Sequence, residues 1–178
     1  NQDISGWDVA SVINYSNYGG SSGHSDPVFT SSSEYYFTIN SETISQSNIQ
    51  TAVNDWISNS TNATAKYGGH ISNWNTSQVT NMSDLFKNKT TFNSNISGWD
   101  VSNVTIMNNM FYGASSFNQS LNNWNTAKVS NMNYMFNEAS SYNSSLNDWN
   151  TAKVTTMERM FRQAQSFNKG LNGWNTSK

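Results

Sequence analysis

The residue types that support metal binding or catalysis are few in this chain and lie far apart. The two histidines are His24 and His70, and neither belongs to the His-Glu-x-x-His pattern that places two zinc ligands on one helical face. The sequence has no cysteine, so no thiolate can complete a zinc site. We therefore expect no metal and no other cofactor.

The acidic residues are scattered and do not follow the spacing of a calcium-binding loop. No P-loop, nucleophile elbow or dinucleotide-binding fingerprint is present. Glycoside cleavage needs only two carboxylates that face each other, and folding could bring two together, although the sequence does not indicate which. The prediction is a protein without catalytic residues, with a glycosidase as the remaining enzymatic alternative.

Positions that change between otherwise similar repeats are better candidates for contact with a partner. The chain repeats every 25 residues, and two phases of the repeat vary in chemistry. The first phase contains Asp84, Asn109, Tyr134 and Arg159. The second phase contains Lys87, Tyr112, Asn137 and Arg162. We expect both phases on the outer face of a helix as candidate partner contacts; the alternative is that these positions vary because nothing constrains them.

Two further columns, each made of one residue type, suggest more remote binding roles. The basic column comprises Lys128, Lys153 and Lys178. It could contact an anionic glycan, or it could be a solvated edge. The threonine column, which Val101 interrupts, comprises Thr76, Thr126, Thr151 and Thr176. A regular threonine column raises ice binding as a remote alternative.

The period itself predicts the elements that must position these residues. It is marked by a tryptophan column that comprises Trp74, Trp99, Trp124, Trp149 and Trp174. A fixed period in this range indicates a solenoid. One such unit cannot bury its apolar face alone, so neighbouring units must supply the rest of its core. We expect the tryptophans to form a shared core with columns of Ile or Leu, Val, Met and Phe.

Each repeat is expected to contain one short helix and one short strand. The apolar residues from Val104 to Ala114 recur at i, i+3, i+6, i+7 and i+10, which is the spacing of one helical face. Residues 119–126 are polar, rich in asparagine and poor in helix formers. We interpret that segment as a strand that stacks on its equivalents at about 4.8 Å.

Two polar columns are expected to stabilise the turns. The column that follows the conserved aromatic position of each repeat comprises Asn93, Asn118, Asn143 and Asn168. Stacked amides can bond to their copies and to turn backbone, which predicts a structural ladder. The column that follows each tryptophan comprises Asp8, Asn75, Asp100, Asn125, Asn150 and Asn175. We expect these side chains to bond to nearby backbone.

The repeat pattern is interrupted once, which defines the predicted domains. Residues 1–18 match the repeat and are interpreted as the tail of a preceding array, and residues 19–27 as a flexible linker. Residues 28–66 combine a strand-like segment with an amphipathic helix near residues 47–59, which we expect to cap the first repeat. The repeat solenoid occupies residues 67–178.

Composition excludes several classes of partner. Charged residues make up 11% of the chain and its net charge is -2, which does not suit a nucleic-acid-binding surface. No apolar run approaches the ~18 residues of a membrane span, so an export signal or anchor is expected outside this segment. Neither end of the repeat pattern is capped, so we expect either a longer array or a second copy that completes each end.

The columns combine into F-N-x-x-[IL]-x-x-W-[DN]-[VT]-x-x-V-[TS]-x-M-x-x-[ML]-F, most fully carried by FNQSLNNWNTAKVSNMNYMFNEA at residues 117–139. This pattern resembles the 25-residue repeat of BspA-like bacterial surface proteins and mycoplasma-type surface lipoproteins, which are related to leucine-rich repeats. The resemblance covers residues 47–178 and the short start. It implies export, surface display and adhesive or structural roles, and no catalytic residues.

Residues and resemblance together predict an α/β repeat fold. We expect a right-handed, leucine-rich-repeat-like solenoid of short strands and short helices, with about 25 residues per turn of the solenoid and a capping helix near residues 47–59. The leading hypothesis is an exported, non-catalytic cell-surface stalk, adhesin or filament subunit, with further copies of itself or a host glycan or protein as partners. The alternative is a soluble module that recognises a glycan or protein on its outer helical face.

Overall fold

The computed structural model describes residues 41–177. The interpretations of residues 1–18 as a repeat tail, 19–27 as a linker and 28–39 as strand-like therefore concern parts of the chain outside the described residues, as does Lys178. The amphipathic helix and the main run of repeats lie within them.

Two consecutive helices begin the described region. Helix α1 spans Ile49–Ser58 and helix α2 spans Ser60–Lys66. The buried residues of α1 start at Ile49 and follow one helical stripe through Ala52, Val53 and Trp56. Between the helices the chain turns at Asn59, whose side chain accepts a hydrogen bond from the backbone N–H of Asn62 and so caps α2.

Ser47 and Gln50, three residues apart near the start of the amphipathic segment, have the spacing of a capping box, which predicts a helix start at Ser47, but the box is not formed. Helix α1 begins at Ile49, and its N-cap residue, Asn48, makes no side-chain capping bond. Gln50 instead donates its side-chain amide to the carbonyl of Leu85, 3.2 Å away in the first repeat. The Gln50 side chain thus bonds to the backbone of the first repeat and not to the start of its own helix.

After a 3-10 turn at Ile71–Asn73, the rest of the described chain contains neither a further helix nor a strand longer than a single bridge. Isolated parallel bridges join positions 25 residues apart: Asn81 to Ile106, Ile106 to Asn131, and Asn131 to Thr156. Equivalent residues of successive repeats therefore lie side by side, in one direction, along residues 74–177.

Backbone hydrogen bonds between repeats form a ladder. In the first repeat the N–H groups of Met82, Asp84, Phe86 and Asn88 donate to the carbonyls of Ile106, Asn108, Met110 and Tyr112 at 2.7–3.1 Å. The next two repeats form the same four bonds. Alternate N–H groups thus leave their own repeat, and each repeat needs a neighbour to satisfy its backbone.

The short helix expected between Val104 and Ala114 is not formed. Asn109 and Gly113 have positive φ values of 56° and 66°, and the same two phases are left-handed in each of the four repeats. A right-handed helix does not accommodate such residues, and its N–H groups would bond within the helix rather than to the next repeat. The segment is a series of turns instead.

The strand expected at residues 119–126 is also absent. The backbone reverses there through a turn in which the N–H of Trp124 donates to the carbonyl of Leu121 at 3.1 Å. The Trp124 indole donates to the carbonyl of Ile96 in the preceding repeat at 3.2 Å. This half of the repeat is therefore joined to its neighbour through a side chain.

The apolar columns of the repeats meet in one continuous interior. Trp74, Trp99, Trp124 and Trp149 are 1–4% exposed. The phenylalanine column shows the stacking most clearly, with ring centroids 5.3–5.6 Å apart and planes within 7° of parallel from Phe86 through Phe161. Burial of about 200 Å² per tryptophan offers roughly 5 kcal/mol for each repeat, which offsets part of the cost of ordering its turns.

The two polar columns run along the outside of this interior. The side-chain oxygens of Asn93, Asn118 and Asn143 each accept the backbone N–H of the asparagine one repeat later, at 2.8–3.2 Å. The Asp or Asn that follows each tryptophan accepts the N–H two residues ahead at 2.9–3.2 Å. The first column connects repeats, whereas the second closes a local turn.

Two glutamine side chains bond to part of the N-terminal edge of the ladder. Gln46 accepts the N–H groups of Thr80 and Asn81 at 2.9 and 2.8 Å and donates to the Asn81 carbonyl at 3.0 Å. Gln50 covers the Leu85 carbonyl in the same way. In the inner repeats the carbonyls equivalent to those of Asn81 and Leu85 accept from a neighbouring repeat, so these two side chains replace part of a preceding repeat.

The last described repeat has no such cover among the described residues. The N–H groups of Met157, Arg159 and Phe161, which correspond to ladder donors in the earlier repeats, make no hydrogen bond there. Phe161 and Trp174 are only partly buried, unlike their equivalents in the preceding repeats. The two ends of the described stack are therefore chemically different.

Candidate recognition groove

The candidate contact residues lie on a face of turns rather than on the expected outer face of a helix. The first phase, at Asp84, Asn109, Tyr134 and Arg159, occupies the left-handed backbone position, with φ between 53° and 60°. Each second-phase residue, such as Lys87, follows three residues later in the same turns. The turns project alternate side chains outward while the intervening Met and Phe residues are buried.

Four of the eight candidates line one shallow groove of about 610 Å³: Lys87, Asn109, Tyr112 and Tyr134. The other lining residues are Asn88, Asn108, Asn131 and Asn133. Asp84, Asn137, Arg159 and Arg162 do not line it. The groove crosses three successive repeats, so it exists only when those repeats stack.

The Tyr112 side chain is held by one contact at its hydroxyl and another at its ring. Its hydroxyl donates to the Glu138 carboxylate at 3.0 Å, and the Lys87 ammonium lies 5.7 Å from the ring centroid. Lys87 is also paired with Asp84 at 3.0 Å. The hydrogen bond to Glu138 and its negative charge raise the pKa of Tyr112, so the phenol remains a neutral donor.

Tyr134 is held in a similar way one repeat further along. Its hydroxyl donates to the Glu158 carboxylate at 3.2 Å and accepts from the Arg159 guanidinium at 3.4 Å. Arg159 and Glu158 lie 3.4 Å apart as an exposed ion pair. Tyr134 also has a φ of 56°, a backbone conformation that is unusual for an aromatic residue.

The asparagines present hydrogen-bond donors to the groove. The side-chain oxygen of Asn108 accepts from the Ser83 hydroxyl, that of Asn131 from the N–H of Asn133, and that of Asn133 from the N–H of Glu158. None of the side-chain NH₂ groups of the five lining asparagines has a hydrogen-bond partner within residues 41–177. The groove thus combines fixed aromatic rings with free amide donors.

Asn137 is not a surface contact, contrary to its assignment from the variable phase. It is 1% exposed, and neither atom of its side-chain amide has a hydrogen-bond partner among the described residues. Arg162 and Arg159 are exposed. The sequence pattern could not distinguish these cases because burial here depends on the side chains of neighbouring repeats.

The threonine column is not an ice-binding surface. Thr76, Thr126 and Thr151 are at most 1% exposed. Their hydroxyls donate to carbonyls of the following repeat at 2.9–3.1 Å. In the basic column, Lys128 donates to the Asn103 side chain at 2.6 Å and Lys153 is exposed.

The titratable side chains of the described residues do not gather into a metal-binding cluster. Residues 41–177 contain no cluster of three or more His, Cys, Asp or Glu side chains that could hold a metal ion. His70 accepts the N–H of Ser72 and packs edge-on against Trp56 at 4.5 Å, which indicates a structural role. Within the same range, no helix is long and apolar enough to cross a membrane.

Sequence reasoning missed the asparagines that complete the groove: Asn88, Asn108, Asn131 and Asn133. A usable signal was present, because Asn108 directly precedes the candidate Asn109 and Asn133 directly precedes Tyr134. Asn88 likewise follows Lys87. Neighbours of a variable position on the same turn share its exposure.

The described region thus defines a class of protein in which 25-residue repeats stack through a backbone ladder and a shared aromatic core. The family model described as "Mycoplasma protein of unknown function, DUF285" matches residues 30–129 and 95–178. The chain belongs to this repeat family. No curated protein and no solved structure matches it.

Proposed function

We propose that this chain is a non-catalytic segment of an exported surface protein, related to the BspA-like and mycoplasma-type surface lipoproteins, and acts as a cell-surface stalk or adhesin. The observation that carries this proposal is the continuous ladder from one repeat to the next. Nearest-neighbour stacking produces an extended element whose length grows with each repeat. We also propose that the stack is a right-handed, leucine-rich-repeat-like solenoid.

The composition of the chain argues against partners bound through charge and leaves the compartment open. Only 11% of its residues are charged, and its net charge is -2, so it has little tendency to bind nucleic acid or anionic lipid through charge alone. Without cysteine, its stability does not depend on the redox state of the compartment.

Surface display is tested by inserting an epitope tag between the exposed residues Lys169 and Gly170 of the full protein in its native cells. Intact cells should bind antibody to the tag, and external protease should remove the signal. A cytosolic protein with the same tag serves as the control. Labelling that appears only after permeabilisation would contradict the proposal.

End-to-end assembly with a second copy is a second candidate function, because the N–H donors on one side of a repeat match the carbonyls on the opposite side of the next. In the last described repeat the donor side is formed by the N–H groups of Met157, Arg159 and Phe161. Donors cannot pair with donors, so two such faces do not complement each other. A partner must offer carbonyls, as the N-terminal face of a repeat does, and in this chain Gln46 and Gln50 bond to two of the four carbonyls of that face, those of Asn81 and Leu85.

Sedimentation velocity from micromolar to millimolar concentration tests assembly. The double variant Gln46→Ala with Gln50→Ala uncovers the N-terminal edge and should associate more strongly than the unmodified chain. Gln78→Ala is the matched control, because Gln78 is exposed and lies in the first repeat, two residues before Thr80. A double variant that stays monomeric throughout would exclude this mode of assembly.

A further inference from the structure

We propose that the groove lined by Lys87, Asn109, Tyr112 and Tyr134 binds a neutral oligosaccharide. The site goes beyond the stalk role because it assigns a ligand class to a specific surface. Sugar binding in this groove rests on the proposed function and would account for adhesion by a surface-displayed protein. Its test uses the purified chain, so it can fail or succeed independently of where the protein is displayed.

The first argument is the pair of clamped tyrosines. Both rings are partly exposed, and both hydroxyls are tethered to a carboxylate of a neighbouring repeat, Tyr112 to Glu138 and Tyr134 to Glu158. A ring held in this way loses little conformational entropy when a ligand binds. The flat, apolar faces of pyranose rings match such platforms.

The second argument is the surplus of donors. The lining asparagines offer free NH₂ groups, whereas the side-chain oxygens of Asn108, Asn131 and Asn133 already accept bonds within the protein. Hydroxyl, ring and acetamido oxygens of a sugar are the matching acceptors. A polyhydroxylated ligand satisfies a row of amides better than an apolar peptide or a lipid chain would.

The third argument is charge balance, which selects a neutral ligand over an anionic one. Lys87 is paired with Asp84 at 3.0 Å, and beside the groove Arg159 is paired with Glu158 at 3.4 Å. Polyanion binding takes most of its affinity from cations that neutralise ligand charge. Here Lys87 and Arg159 already have carboxylate partners.

The fourth argument is the backbone at Tyr134. This position is left-handed, and the preceding repeat has Asn109 there, a residue type that tolerates the conformation. The same conformation recurs at Arg159 outside the groove, where the ladder also imposes it, so the information lies in the tyrosine: it carries a backbone cost that asparagine would not. The groove is the place where this tyrosine has a role that asparagine would not fulfil.

The test is a titration of the purified full chain with chitotriose and, separately, with cellotriose, followed by NMR of the asparagine side-chain NH₂ signals. At least one sugar should shift the NH₂ signals of Asn108, Asn109 and Asn133 in a saturable way. The absence of a saturable shift with both sugars would overturn the proposal. A sulfated polysaccharide is titrated in parallel, and a response to it alone would overturn the proposal in favour of an anionic ligand.

Tyr134→Asn is the informative variant, because it removes the ring and installs the residue that occupies the same backbone position one repeat earlier. It should fold, with an unchanged circular dichroism spectrum, and its affinity should fall by about tenfold, the loss of one ring-stacking contact. Arg162→Asn, an exposed change outside the groove, should bind like the unmodified chain. Equal affinity of Tyr134→Asn and the unmodified chain would reject the groove as the site.

Discussion

Two residues of each repeat determine how its backbone turns. In the first two repeats the left-handed positions hold Asp84, Asn88, Asn109 and Gly113, all types that accept a positive φ. The following repeats place Tyr134, Glu138, Arg159 and Gln163 there. These later residues keep the left-handed conformation because the ladder bonds on either side of them require it, and each does so at a cost.

Gln163→Gly should therefore stabilise the chain. Gln163 is exposed and has a φ of 60°, so glycine should raise the free energy of unfolding by about 1 kcal/mol. Gln165→Gly, at an exposed position without a left-handed backbone, should lower it by roughly 0.5–1 kcal/mol. Urea denaturation of the two variants measures both changes. Equal destabilisation would mean that position 163 carries no backbone strain.

Tyr142 occupies a phenylalanine column and carries a hydroxyl that has no hydrogen-bond partner among the described residues. Burial raises the pKa of Tyr142, so the hydroxyl stays neutral and is desolvated without compensation. Tyr142→Phe should raise the free energy of unfolding by about 1 kcal/mol, as measured by urea denaturation. Tyr112→Phe, which loses its bond to Glu138, should bring no such gain.

At the scale of elements, backbone hydrogen bonds connect the inner repeats, whereas side chains bond to the N-terminal edge of the first repeat. Gln46 presents an acceptor and a donor to the first repeat in the positions that a neighbouring repeat would use. Helix α1 also places Trp56 against Trp74, with ring centroids 6.1 Å apart and planes at 86°. This edge-on contact lies where the parallel stacking of the tryptophan column begins, next to the glutamines at the start of the ladder.

Gln46→Ala should weaken this cover locally. Thr80 and Asn81 would lose the acceptor of their N–H groups, and their amide hydrogen exchange should accelerate. Both residues are exposed, so water limits the loss in unfolding free energy to about 1 kcal/mol. Gln78→Ala, which removes no such bond, should leave exchange at both amides unchanged. Unaltered exchange in Gln46→Ala would show that the glutamine does not protect the edge.

Helices α1 and α2 are joined by a group that titrates in acid. Hydrogen bonds from Tyr67 and Lys66 to the Asp55 carboxylate lower its pKa below 3.8. Its folded pKa is depressed, so its stabilising contribution is present above 3.8 and is lost as pH falls through the folded value. Urea unfolding between neutral and acidic pH should show a steeper loss of stability in the unmodified chain than in Asp55→Asn. Parallel pH profiles would contradict this assignment.

At the scale of the whole molecule, stability should depend on complete repeats. Each repeat contacts only its neighbours, so removal of one full period should leave the rest able to stack. Phase matters more than length, because a shift by part of a period would place polar residues in the interior.

Deletion of residues 101–125 joins Asp100 to Thr126, which are in phase, and should yield a folded chain with cooperative but reduced stability. Deletion of residues 101–112 breaks the phase and should abolish cooperative unfolding. Urea denaturation followed by tryptophan fluorescence distinguishes these outcomes. Similar unfolding of both deletions would show that the repeats do not share one core.

Which side chains face the interior was predictable from sequence. A position that packs against its equivalents in neighbouring repeats must stay apolar in every repeat. Trp124 and Met132 lie in such columns, and both are at most 3% exposed. The path of the backbone was not predictable in this way. Apolar spacing from Val104 to Ala114 is compatible with a helix and with turns that bury every third or fourth residue.

What the sequence determined by itself is the period, because identical apolar surfaces recur every 25 residues and can be buried only against one another. What only the tertiary structure decided is the turn conformation and the groove. Backbone N–H groups that bond to the next repeat cannot also bond within a helix, and Tyr112 and Tyr134 lie on different repeats. Both outcomes depend on partners about one period away, which no local pattern specifies.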